Sequence, residues 1–307
     1  MTKMLRGVVV MVLGCLAGSG VAAAQEMPAE YQRVLSALGR QGDYKANVLK
    51  VNIPRNDLRV KVAGIDTPTP FGFGGWVAMT KGDGGHEVLM GDLVLTQDEV
   101  NPVMSALLKE GLDVTALHNH FFWEEPRIFY MHVHGMGTAD ALTQKLKPAI
   151  ALIGASAPAP AASGSAPPAP AAAASALNTA ALAKTIGTEG EQSGAVYKIT
   201  IGRDDLQVRQ LGAPINARMG LNTWAAFVGT DAKAAVAGDV AMLASEVTPV
   251  LKALRDHGLD VVAIHHHMTD TQPTIFFLHY WGTGPAATLA EGVRAAVEQL
   301  GKAGPRR

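Results

Sequence analysis

Eight of the ten histidines in the 307-residue chain fall in two short stretches. The first runs Leu117-His118-Asn119-His120 and returns through His132-Val133-His134. The second runs Ile264-His265-His266-His267 and returns through Phe276-Phe277-Leu278-His279. His118, His120 and His132 recur 147 positions later as His265, His267 and His279, whereas His134 meets Trp281. A neutral imidazole is a metal ligand and a general base. Three with an open fourth position are the ligand set of a catalytic zinc, and imidazole also suits copper, iron and nickel.

Residues at i and i+2 of a strand share a face, so His118 and His120 project together, as do His132 and His134. A hairpin centred near residue 125 sets His118 opposite His132, about 5 Å away on the same side. A slip of one residue would turn His132 to the other face. Imidazoles in a cluster repel when protonated and are costly to bury unpaired, so they want solvent or a shared ligand. The expected ligand is a divalent transition metal, zinc first, held by His118, His120, His132 and His134 in one stretch and by His265, His267 and His279 in the other. There is no HExxH helix, and the one cysteine, Cys15, lies in the N-terminal segment. Two plainer readings stay open: ordinary hydrogen-bonded strand residues, which duplication copies as faithfully as ligands, and contact with a metal-free ligand.

Other residues could take part. Glu124 and Glu125, in the first hairpin loop, could act as general base beside a metal. Thr271 and Gln272 replace them in the second, so hydrolysis would belong to the first stretch alone. Trp281 could stack on a ligand, and Arg55 and Arg203 could hold an anion, although strand-end arginines need no such role. Asp92 and Asp239 each follow a glycine. They could orient a histidine, but a bulge or turn with local bonding is the commoner meaning of Gly-Asp. Trp76 and Trp224 are expected in the core.

These residues belong to a duplicated unit. Val48-Leu-Lys-Val-Asn-Ile-Pro-Arg matches Val196-Tyr-Lys-Ile-Thr-Ile-Gly-Arg, and Trp76 falls on Trp224, at an offset of 148. After a one-residue deletion, Gly91-Asp92 matches Gly238-Asp239 and Gly111-Leu-Asp-Val matches Gly258-Leu-Asp-Val. The units are placed at 29–150 and 177–300, joined by an Ala/Pro-rich linker at 151–176 with too little apolar bulk to order itself.

Within a unit, Tyr31, Val34, Leu35 and Leu38 have helical spacing and stop at Gly39. Alternating patterns predict strands around 49–53, 58–62, 75–80 and 87–95. Val100, Val103, Met104 and Leu107 predict a second helix. It starts either at a Thr96/Glu99 capping box or later, with Pro102 in its first turn. Strands near 113–121 and 127–134 and a closing helix follow. The fold class is therefore α+β: two tandem copies of an α-β-β-β-β-α-β-β-α unit with a mainly antiparallel sheet, expected to pack together within one chain.

Lys3 and Arg6, an apolar run from Val8 to Val21 and Ala22-Ala23-Ala24 predict a secretory signal over 1–24 and a mature form without a membrane span. Val12-Leu-Gly-Cys15 partly matches a lipoprotein acylation site. The protein is thus expected to be exported, and either periplasmic or anchored through Cys15. A formal charge of −1 leaves no basic surplus for nucleic acid.

The tandem Gly-Asp, Gly-Leu-Asp-Val, His-x-His, Pro-x-x-Phe and His series is similar to the LppY/LpqO family of bacterial exported proteins and lipoproteins, which is defined by such a duplicated domain of unknown function. The resemblance covers both units and implies an envelope location. The long linker and the imperfect acylation site depart from it, and it brings no substrate, cofactor or catalytic residue. From the residues themselves the expected function is binding of a divalent metal, extended to hydrolysis in the first unit. The alternative is a non-catalytic module for an unknown small molecule, cell-wall fragment or peptide. A metal-free histidine base would need a nucleophile that the sequence does not identify.

Overall fold

The computed structural model describes residues 25–155 and 176–302, so the segment expected to be a secretory signal, Cys15 and most of the linker lie outside the described residues. Unit 1 opens with α1 (Ala29–Leu38), which ends where Gly39 takes a left-handed conformation, then β1 (Gly42–Lys45), β2 (Val48–Pro54), β3 (Val60–Val62) and β4 (Ile65–Thr67). There follow β5 (Gly74–Lys81), β6 (Glu87–Thr96), α2 (Gln97–Lys109), β7 (Asp113–His118), β8 (Glu124–Glu125), β9 (Ile128–Gly137) and α3 (Ala139–Leu152).

Unit 2 repeats the path: α4 (Thr179–Ile186), β10 (Gly190–Ser193), β11 (Val196–Gly202), β12 (Val208–Gln210), β13 (Ala213–Ile215), β14 (Asn222–Gly229) and β15 (Ala234–Leu243). It continues with α5 (Ala244–Asp256), β16 (Asp260–His265), β17 (Ile275–Gly284) and α6 (Ala286–Val297). The α+β reading of two tandem copies holds. The structure adds β1, β4 and β8, short elements with too few alternating positions to register as a period.

Each unit has a six-stranded antiparallel sheet, ordered β1-β2-β5-β6-β9-β7 in the first and β10-β11-β14-β15-β17-β16 in the second. In unit 1, Leu49, Val51, Val77, Leu89, Leu93, Met131 and Val133 point to one face and are sealed by the three helices. Unit 2 has the same arrangement. The opposite faces cover each other. One inter-unit core joins Phe71, Phe73, Phe121 and Tyr130 to Val196, Ala226 and Trp281, and another joins Val48, Ala78 and Met90 to Met219, Leu221 and Phe277. The molecule is thus a four-layer α-β-β-α stack, and strands buried on both faces explain why several read as nearly continuous apolar runs.

The second helix starts early. The backbone N–H of Thr96 donates to Glu99 at 2.8 Å, and that of Leu243 to Glu246 at 2.8 Å. Pro102 and Pro249 therefore lie inside α2 and α5, and the later start suggested by the prolines is not adopted.

Candidate metal centre

The register carries one row of side chains across each inner face. In unit 1, Asn52 on β2 pairs with Trp76 on β5, Trp76 with Asp92 on β6, Asp92 with His132 on β9, and His132 with Ala116 on β7. Unit 2 has Thr200, Trp224, Asp239, His279 and Ala263 in the same order. Cross-strand partners point to the same side. Because the two inner faces oppose each other, both rows meet in the middle of the molecule.

β7 carries a one-residue irregularity between Val114 and Ala116, and beyond it His118 pairs with Tyr130, not with the expected His132. The displacement is by two positions, so His132 keeps the expected face and its ring lies 5.1 Å from that of His118. His120 lies just beyond β7, 5.2 Å from His118. The equivalent separations in unit 2 are 5.0 Å for His265 and His279 and 5.2 Å for His265 and His267.

The closest approaches run between units. Nε2 of His118 is 3.1 Å from Nε2 of His279. The His118 and His265 rings stack at 3.7 Å, those of His120 and His279 at 3.6 Å, and those of His132 and His267 lie 4.1 Å apart. Two sets offer nitrogens that all lie within 4.8 Å of one another: His118, His265 and His279, and His132, His265 and His267. Each draws on both units. The expected arrangement, one ligand set per unit, is therefore replaced by sets that straddle the interface.

Two of these rings are oriented by backbone. His132 Nδ1–H donates to the Gly91 carbonyl and His279 Nδ1–H to the Gly238 carbonyl, each at 3.2 Å, which leaves both Nε2 atoms unprotonated: that of His132 has no partner among the described residues, and that of His279 accepts from His118 Nε2–H. A ligand histidine is commonly held in this way. Gly91 and Gly238 lie in regular strand pairing, so the bulge or turn reading of Gly-Asp does not apply. At Gly238 a Cβ would overlap the Tyr280 hydroxyl and the Trp224 carbonyl, so only glycine brings this carbonyl to His279.

The centre is buried and short of partners. His118, His120, His132, His267 and His279 are buried and His265 is half-buried. Nδ1 of His118, Nε2 of His132, Nδ1 of His267 and both nitrogens of His120 and His265 are buried without a hydrogen-bond partner among the described residues. Burial, and for most of them the neighbouring imidazoles, push all six well below the usual histidine range; His279 falls to about 3. They are neutral at pH 7 and hence competent as ligands. Two nitrogens bound to one zinc at about 2.0 to 2.1 Å stand roughly 2.9 to 3.4 Å apart for bond angles between square and tetrahedral. The 3.1 Å between His118 and His279 falls in that range.

Two carboxylates and two lysines surround the histidines. Asp239 Oδ2 is 3.5 Å from His267 Nε2, whereas Asp92 Oδ1 has no partner among the described residues. Burial pushes Asp92 up to about 7. Lys50 and Lys198 lie over Trp76 and Trp224, 4.3 and 4.2 Å from the ring centroids, and burial pushes both down to about 8. Both lysines stand at matched positions in the repeat, the one sequence signal that could have found them. Trp76 and Trp224 do pack inside, but each carries this cation on its face.

The other expected site residues lie elsewhere in function. His134 Nε2–H donates to the His267 carbonyl at 2.8 Å, so this ring ties the units together and joins neither set. His120 is packed against Tyr130 at 3.2 Å and also joins neither set. Trp281 is buried and meets Phe71 and Phe121 edge-on at 5.9 and 5.6 Å, which makes it inter-unit core with no face left for a ligand.

Arg55 donates to Asp57, to Glu99 at 2.6 Å and to the Val94 carbonyl, while Arg203 does the same with Asp205, Glu246 and the Ala241 carbonyl. With these donors engaged internally, the arginines hold strand to helix in place of an outside anion. Glu124 is buried among Asn119, Arg127 and Ile128, its partners within the β7–β9 connection, and burial raises it. Glu125 is exposed and pairs with Lys61 on β3. Neither glutamate belongs to a metal-holding set, because the chain between Phe121 and Arg127 is drawn toward β3.

No curated protein matches the chain. Two solved structures do: EtuB from Clostridium kluyveri, at 10% identity over 85% of this chain and 91% of that one, and a trimeric bacterial microcompartment shell protein, PduB, at 12% identity over 84% and 93%. Both have a TM-score of 0.20, too low to carry fold or function across. The family signal is direct and doubled, covering residues 32–152 and again 180–299. The chain belongs to the family described as Domain of Unknown Function (DUF1259), of which it carries two copies.

Proposed function

We propose that the protein binds a divalent transition metal, zinc first, at one histidine centre that its two units build jointly. The observation that carries this reading is the convergence of buried, neutral, unpartnered imidazole nitrogens from both units. An unmade hydrogen bond on a buried polar atom costs roughly 1 to 3 kcal/mol, so a cluster of such atoms is a large cost that an ion would remove. An all-imidazole set suits zinc, copper or nickel over magnesium or calcium, which prefer oxygen. Hydrolysis has lost its expected base, because Glu124 turns into the hairpin connection, and the proposal stops at binding.

The same proposal places the protein outside the cytoplasm, among exported proteins of the LppY/LpqO kind. This is supported by Lys3, Arg6 and the apolar run ending at Ala24, and by the tandem motifs. Mass spectrometry of the N-terminus tests the location, with Gln25 expected first; an acylated Cys15 would make it an anchored lipoprotein.

The metal reading is tested by elemental analysis of protein purified and dialysed without added metal, together with thermal melts. Stoichiometric zinc and a melting temperature raised by Zn²⁺ are expected. Absence of bound metal and no response to Zn²⁺, Cu²⁺ or Ni²⁺ would overturn it.

A further inference from the structure

The two histidine sets share one member. His118 and His279 belong to one, His132 and His267 to the other, and His265 to both. A nitrogen fills one coordination position on one ion. His265 has two nitrogens on different edges of its ring, and both are buried without a partner among the described residues. In each set the strand histidine, His279 or His132, has its Nδ1–H bound to a glycine carbonyl, so its unprotonated Nε2 is the ligand atom. Each set thus receives one backbone-oriented histidine, one from each unit.

Resting on the metal reading above, we propose that the centre holds two ions bridged by His265: one on His118, His279 and one nitrogen of His265, the other on His132, His267 and the other nitrogen. A neutral imidazole carries a single N–H. Binding metal at both nitrogens breaks that bond, releases one proton to solvent and leaves an imidazolate between two dications. No electron is transferred, and both ions keep their charge. Metal binding of this kind displaces ligand protons in general. His265 is suited to the role because it is the half-buried member and both its ring nitrogens are without a partner among the described residues.

The test is a Cu²⁺ titration of the metal-freed two-unit protein, followed by uptake and by electron paramagnetic resonance. The expected result is two equivalents bound, with the signal collapsing toward zero at the second as the bridged ions couple magnetically. His118→Ala, which opens one set, should bind one equivalent with an undiminished, uncoupled signal. His279→Ala opens the same set from the other unit and serves where His118→Ala fails to fold, as judged by circular dichroism. Saturation of the wild type at one equivalent would overturn the bridge and leave the metal reading standing, as would two equivalents at full signal intensity. No uptake at all would overturn the metal reading itself.

Discussion

His118 and His279 are 161 residues apart in the chain and their Nε2 atoms are 3.1 Å apart in space. His118 ends β7 of the first unit and His279 lies in the middle of β17 of the second. The duplication therefore does more than supply two copies of a site. Each sheet turns its polar row inward, and the site exists only where the rows meet. Fusing the units in one chain fixes their proportion at one to one, which a centre made from both halves requires.

Protonation should unlock the centre. The six histidines have folded affinities for protons below the unfolded reference of about 6.5, so their contribution is intact above that value and is lost as pH falls from it toward the folded values, about 3 for His279. Each such histidine adds a slope of about 1.4 kcal/mol per pH unit in that window. Asp92, raised to about 7, works in the opposite sense between its unfolded and folded values and blunts the loss. Urea midpoints of the metal-free protein should fall between pH 7.5 and 5; a midpoint that holds or rises would contradict the buried, neutral cluster.

Arg55→Ala should destabilise by about 3 to 5 kcal/mol, because it leaves the Glu99 carboxylate buried and uncompensated. Metal content of the folded fraction should be unchanged, since the ion pair lies between β2 and α2, outside both histidine sets. Arg203→Ala should behave alike through Glu246. Denaturation curves with metal analysis on the same samples check both. Loss of metal from still-folded protein would mean that the arginines reach the centre.

Trp281→Ala should cost about 3 to 5 kcal/mol by emptying the space beside Phe71 and Phe121. Because the ring closes the seam between units, heat capacity and m-value in urea would show whether the units separate before they unfold. A variant as stable as the wild type would return Trp281 to the role of a surface ligand platform.

Gly238→Ala tests the glycine that orients His279. A Cβ there collides with Tyr280 and Trp224, and the expected cost is about 1 to 3 kcal/mol. Displacing the carbonyl that holds His279 Nδ1–H should also weaken metal affinity roughly 10- to 100-fold. Competition with a chromophoric chelator measures the affinity, and an unchanged value would show that the carbonyl plays no part.

Much of this was legible in the residues. The duplication, the helix and strand patterns and the common face of His118 and His120 follow from repeat and period, and the assumed hairpin register added His132 to that face. What sequence could not give was the relation between units, since no period or spacing says which face of one sheet covers which face of another. That relation sends His134 to the His267 carbonyl and buries Trp281 under Phe71. The expected pairing of His118 with His132 failed because the hairpin is centred near residue 124 where 125 was expected, and the face survived because the partner moved by two positions, an even shift.

The double variant His118→Ala/His132→Ala tests the shared centre most directly. Both changes lie in unit 1, and each removes a member of a different set, so the account predicts a folded protein that retains no stoichiometric zinc after dialysis. His265, His267 and His279 are all intact in that variant. One zinc retained on them would show that each unit holds its own ion and would contradict the account.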